Sequence, residues 1–159
     1  FGILLLRLHE RSVRAMSAEP RIAGVDYGTK KIGLAVTDPL RLFTRPVGTY
    51  GPDGLVEALR EIEREDGLET VVVGWPLTRD GEEGVQTERV VPFLERLRET
   101  FPNVQVVRWD ERYSSVRARE KIREAGQWKK VREDHTVVDA VAAAVILEEY
   151  IEQHQELMR

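Results

Sequence analysis

The chain has 159 residues, one domain's worth and enough to bury a full core without a staple. Its 42% hydrophobic and 33% charged residues exclude a disordered chain, and no apolar run approaches the ~20 residues that span a bilayer, so no membrane partner is expected. The absence of cysteine excludes disulfides and Cys-ligated zinc and suits a reducing, cytoplasmic setting, while the net charge of −4 argues against a globally basic nucleic-acid binder.

Residues 1–20 read as an N-terminal arm. Either Met16 is the natural start and residues 1–15 lie upstream of it, or Ile3-Leu4-Leu5-Leu6 with Arg7, Arg11 and Arg14 forms an amphipathic arm. The domain is expected over 21–152, with a polar tail over 153–159. Residues 21–26 and 31–37 are two strand-like runs around Tyr27-Gly28-Thr29-Lys30, which reads as a hairpin. A third strand, 45–50, is bracketed by Pro39 and Gly51-Pro52. Leu55, Leu59 and Ile62 then recur at helical spacing, with Asp53 as the expected cap and Gly67 as the stop.

Val71-Val72-Val73 is a continuous apolar run, as in a strand covered on both faces, and Gly74-Trp75-Pro76 ends it. A second helix carries Val90, Phe93, Leu94, Leu97 and Phe101, with Pro92 expected to kink or restart it. Val104 to Trp109 is the last strand. Ser114 or Ser115 is expected to cap a third helix over 116–125, stopped by Gly126. In 137–147 all residues but Asp139 are apolar, so that helix is buried over most of its circumference. The order β-β-β-α-β-α-β-α-α gives a five-stranded mixed sheet of order 3-2-1-4-5, with strand 2 antiparallel: the ribonuclease H-like arrangement.

Three acids stand out by context: Asp26 at the end of a strand, Glu111 just past one, and Asp139 within the apolar helix. A buried, unpaired carboxylate is costly, and a shared divalent cation removes the cost. All-oxygen ligands suit Mg2+ or Mn2+. The topology brings strands 1 and 5 to one edge, where open α/β sheets place their sites. Each acid has an ordinary alternative role. Asp26 can accept bonds from the amides of Gly28 and Thr29, Asp110 or Glu111 can pair with Arg108 or Arg112, and Asp139 can face free helix amides.

The chain resembles the YqgF/RuvX family, whose members are assigned to pre-16S rRNA processing and were once called Holliday junction resolvase-like. The resemblance lies in four stretches over 21–150: Val25-Asp26-Tyr27-Gly28-Thr29-Lys30-Lys31-Ile32-Gly33; Val72-Val73-Gly74-Trp75-Pro76-Leu77 with Asp80-Gly81 and Gln86-Thr87-Glu88-Arg89; Trp109-Asp110-Glu111-Arg112-Tyr113-Ser114-Ser115; and Val138-Asp139-Ala140-Val141-Ala142-Ala143. It implies a metal-dependent nuclease with Asp26, Glu111 and Asp139 as catalytic and metal-binding acids, and Asp110 as an alternative ligand. In many nucleases of this fold the second acid ends strand 4. Here strand 4 ends in Gly74-Trp75-Pro76, so that acid comes from Asp110-Glu111, one strand farther out.

The expected partner is structured or single-stranded RNA, with DNA as the other substrate, bound by a monomer or weak homodimer. Gly28, Thr29, Lys30, Lys31, Arg79, Arg112, Arg117, Lys129 and Lys130 are the candidates for substrate contact. Residues 108–133 hold nine Lys/Arg against five Asp/Glu, a local excess of +4 on an acidic chain. Trp75 reads as core, and Trp128 is a candidate for base stacking. Three other readings stand beside the pre-rRNA nuclease: a DNA-junction resolvase or single-strand nuclease in repair, a non-catalytic RNA-binding assembly factor, and a nucleotide-binding domain. The last needs two such domains to enclose ATP, and the chain has room for one.

Overall fold

The structure is a computed structural model that describes residues 18–28, 30–126 and 136–154. Met16, Thr29, Trp128, Lys129 and Lys130 lie outside the described residues. The elements follow the expected order: β1 (Arg21–Tyr27), β2 (Ile32–Thr37), β3 (Thr44–Tyr50), α1 (Pro52–Asp66), β4 (Leu68–Trp75), α2 (Val85–Thr100), β5 (Gln105–Asp110), α3 (Ser114–Glu124) and α4 (Thr136–Gln153). They build one sheet of order β3-β2-β1-β4-β5. β2 runs antiparallel to β1 and β3, while β1, β4 and β5 are mutually parallel. This is the ribonuclease H-like topology.

The two faces of the sheet follow from side-chain alternation. Ala23, Val25, Ile32, Leu34, Val71, Val73 and Trp75 point to one side, where Leu55, Leu59, Phe93, Leu97 and Phe101 of α1, α2 and the residue after it cover them. Ile22, Ala35 and Val72 point to the other, against Ala143, Ile146, Leu147, Tyr150 and Ile151 of α4. α3 does not touch the sheet core. It packs on the back of α4, with Ala118 against Ala142 and Val145, and Ile122 against Val138. α4 is therefore covered by β-sheet on one side and helix on the other, which explains its nearly unbroken apolar run. Among the described residues no helix is long and apolar enough to cross a membrane.

Local expectations are corrected at the starts of α1 and α3. α1 starts at Pro52, not after Asp53, and its cap is Gly51. Proline has no N–H to leave unsatisfied, so it suits the first helical position, and Asp53 falls inside the first turn, where it pairs with Arg96 at 2.7 Å. Of the two outcomes expected at Pro92 a restart does not occur: α2 is one helix through it, and the residue sits on the exposed side where a lost amide bond is cheap. α3 begins two residues earlier than expected, at Ser114, and no serine hydroxyl caps it. Tyr113 precedes it in the left-handed region. α4 runs on past the apolar stretch to Gln153, with Tyr150 and Ile151 still buried.

Candidate active site

Asp26, Gly74 and Glu111 belong to the α4 side of the sheet by the same alternation that places Ile22, Val72, Val107 and Trp109 there. Asp26 is the penultimate residue of β1, paired with Gly33 of β2, and only 8% exposed. Glu111 follows β5 and is tied to β4 by its own N–H, which donates to the Trp75 carbonyl at 3.2 Å. α4 supplies Asp139 from its first turn.

Three glycines explain how these side chains meet. A Cβ on Gly24 would stand 2.6 Å from the Ala143 carbonyl oxygen, and one on Gly33 would strike the Asp139 carbonyl. The backbone of α4 therefore lies directly on β1 and β2, a distance that only glycine allows. Asp139, Ala143 and Leu147, spaced four apart, form the helix stripe that faces the sheet. This stripe lowers the Asp139 carboxylate beside Gly28, where an added Cβ would lie 3.7 Å from Oδ1.

Gly74 is the third. Its missing side chain leaves the space that the Glu111 carboxylate fills, for a Cβ there would collide with Glu Oε2 and stand 3.1 Å from its Cδ. Glu111 thus reaches across β4 and meets Asp26. The absence of an acid at the end of strand 4 and the presence of one beyond strand 5 are two parts of one arrangement. Sequence reasoning missed Gly24, Gly33 and Gly74 as site residues. The signal available was positional: all three share the parity of Asp26 on the face that the apolar helix covers.

Burial raises the carboxyl of Asp26 to about 6, and the Asp139 charge adds to the effect against a lowering bond with Glu111. Glu111 is raised further, to about 9, by burial and then by the charge of Asp26. The two titrate as one unit that holds a proton at neutral pH. Asp139 is raised by burial. Glu111 Oε2 is buried without a hydrogen-bond partner among the described residues. An orphaned oxygen beside a second buried carboxylate is an all-oxygen donor set, and it fits a hard divalent cation. Asp139 stands next to the pair, but among the described residues no three acids or histidines close around a single ion.

Asp110 and Glu111 part ways. Asp110 is held by Arg112, whose Nε donates to its oxygens at 3.1 and 2.9 Å and whose Nη2 stands 2.7 Å from Oδ2. That pairing lowers the Asp110 carboxyl below the usual carboxylate range. Arg112 also reaches the Arg79 carbonyl at 3.4 Å, so it ties the end of β5 to the loop after β4. Arg117 pairs with Glu149 and donates to the Arg112 carbonyl at 3.2 Å. Lys30, Lys31 and Arg79 are exposed. Trp75 is core, 6% exposed, with the Arg108 guanidinium 4.7 Å above its ring. Gly28 lies beside Asp139, as described. The positions of Thr29, Lys129 and Lys130 are outside the described residues.

A mixed sheet of this order, with a buried and a half-buried carboxylate where its parallel strands β1 and β5 end, defines a ribonuclease H-like protein with an acidic site. Residues 20–153 match the family model described as "RuvX: Holliday junction resolvase", and the chain belongs to that family. It is 48% identical over 136 residues to a Salinibacter ruber protein named "Putative pre-16S rRNA nuclease", covering 86% of this chain and 95% of that one. A Chlorobium luteolum protein of the same name is 44% identical over 140 residues, covering 88% and 99%. Among solved structures, "T. thermophilus RuvC in complex with Holliday junction substrate" aligns with a TM-score of 0.49 at 19% identity, covering 86% of this chain and 97% of that one.

Proposed function

We propose that the chain is a cytoplasmic, metal-dependent nuclease that hydrolyses phosphodiester bonds in precursor ribosomal RNA, at the 5′ end of 16S rRNA. The observation that carries the reading is the Asp26–Glu111 pair, in which Asp26 is buried and the half-buried Glu111 encloses an Oε2 with no partner among the described residues. The relatives' names support the RNA substrate. Asp26 and Glu111 would hold Mg2+ or Mn2+, with Asp139 beside them. Such an ion supplies a Lewis acid for the phosphate and favours ionisation of the attacking water.

The chain's own residues do the rest. At neutral pH the acid pair carries one shared proton, which it gives up when cationic charge arrives. Asp139 keeps the field at Asp26 negative and faces it from the helix. Lys30, Lys31 and Arg79 rim this edge of the sheet and contact backbone phosphates without reading sequence. Arg112 and Arg117 join them by exchanging their carboxylate partners, Asp110 and Glu149, for phosphate.

The family description favours a second reading, DNA-junction resolution, and a two-fold junction calls for a dimer. The two are separated by offering the protein, with Mg2+ or Mn2+, an RNA carrying the 16S leader and a four-way DNA junction. Faster cleavage of the RNA by a monomer is the expected result. Preferential, paired cuts in the junction by a dimer would install the resolvase reading, and cleavage of neither would leave a non-catalytic assembly factor.

Asp139→Asn keeps shape and removes a charge from the crowded edge. The metal-free protein is expected to melt at the same temperature or slightly higher, while cleavage falls by about 100-fold or more. A large fall in melting temperature would assign Asp139 to helix capping instead.

A further inference from the structure

The turn that follows Glu111 contains an unexplained strain. The Ser114 N–H donates to the Glu111 carbonyl at 2.9 Å, closing a four-residue turn. Its third residue is Tyr113, at φ 68° and ψ 4°. A turn with positive φ at that position ordinarily takes glycine or asparagine, which reach the left-handed region at little cost. Tyrosine there is strained, and strain of this kind gathers at functional sites. Burial does not account for it, because Tyr113 is 59% exposed.

The surroundings show what the strain achieves. Tyr113 stands on the ridge between two cavities. One, of about 270 Å³, is lined by Glu111, Leu77, Val116, Arg79 and Arg112. The other, of about 430 Å³, is lined by Trp109, Arg117 and Glu149 among others. Tyr113 thus shares one cavity with Glu111 of the acid pair, with apolar Leu77 and Val116 on that side and guanidinium groups lining both cavities. Arg112, the residue before it, contacts Asp110 and the Arg79 carbonyl.

We propose that Tyr113 is a stacking platform for an unpaired nucleobase next to the phosphate presented to Asp26 and Glu111, with Arg79 and Arg112 holding the flanking phosphates. An exposed aromatic face among arginines is the chemistry that binds single strands without reading sequence. The substrate class is therefore a strand unpaired at the cleavage point. A fully paired duplex buries its bases and cannot offer one. This inference rests on the nuclease reading for the position of the phosphate, so binding and cleavage are measured separately.

The test uses the full chain with Ca2+ and two probes of equal length, an oligouridylate and an abasic ribose-phosphate oligomer. Wild type is expected to bind the oligouridylate roughly ten-fold more tightly, the scale of one base–aromatic stack. Tyr113→Phe keeps that preference. Tyr113→Asn suits the backbone better than tyrosine, so it should fold with an unchanged or higher melting temperature and bind the two probes equally. A base preference that survives in Tyr113→Asn, or an equal loss of affinity for both probes, would overturn the platform. Absence of Mg2+- or Mn2+-dependent cleavage by a wild type that shows the base preference would sink the nuclease reading and leave the platform standing.

Discussion

Gly74→Ala is expected to lower cleavage by about 100-fold, although residue 74 has no side chain and no chemistry of its own. The new Cβ takes the space of the Glu111 carboxylate and stands 2.7 Å from Ile146 Cδ1, so it displaces the acid and presses on α4. A misplacement of about 1 Å is enough for an effect of that size on rate, and the overpacking should cost about 1–3 kcal/mol of stability. Loss of fold and loss of site are told apart by titration. With the acids separated, Glu111 no longer feels Asp26, and the stability change between pH 6 and 9 should flatten. If Gly74→Ala cleaves within about three-fold of wild type while Glu111 is still required, the cross-strand reach assigned to Glu111 is wrong.

Glu111→Gln is expected to stabilise the metal-free protein at alkaline pH. In an unfolded chain both carboxyls lose their protons near pH 4. In the folded chain Asp26 holds its proton to about 6 and Glu111 to about 9. From pH 4 to 9 the folded state therefore binds more protons than the unfolded, and stability falls as pH rises. Glutamine fits the space, can donate to Asp26, and removes the larger part of that fall. Its melting temperature should match wild type at pH 5 and exceed it by about 5 °C at pH 8, on the order of 1–2 kcal/mol. Equal melting temperatures at pH 8 would mean that Glu111 is ionised and solvated there. Cleavage is expected to be lost at both pH values.

The order of elements and the mixed sheet were legible because each strand and helix announces its period, and because a meander followed by β-α-β units leaves few topologies. Asp139 was legible as an acid inside an apolar helix, and the structure accounts for that apolar run, since α4 is packed between the sheet and α3. The residues offered Glu111 just past a strand with Asp110 as the alternative, and parity contained the decision between them. Val107 and Trp109 face α4, so Glu111 continues their side, and Asp110 falls to the other and meets Arg112. Gly74 was harder to read. Its importance is the absence of atoms in a place that another strand's side chain uses, and that becomes visible only when β4 and β5 are in register, with Gly74 opposite Trp109. The strain at Tyr113 was hidden for a similar reason. A serine after it suggested an ordinary cap, whereas the turn is closed by a backbone bond to Glu111.

The most direct measurement is cleavage of a single-stranded RNA by wild type and by Asp26→Asn, in Mg2+ or Mn2+ and in chelator, with binding of the same RNA followed in parallel. Asp26→Asn retains the size and packing of the buried side chain and removes its charge. The account predicts metal-dependent cleavage by wild type, none in chelator, and a loss of at least about 1,000-fold in Asp26→Asn with RNA affinity kept within a few-fold. Cleavage that persists in Asp26→Asn, or that proceeds unchanged in chelator, would contradict it.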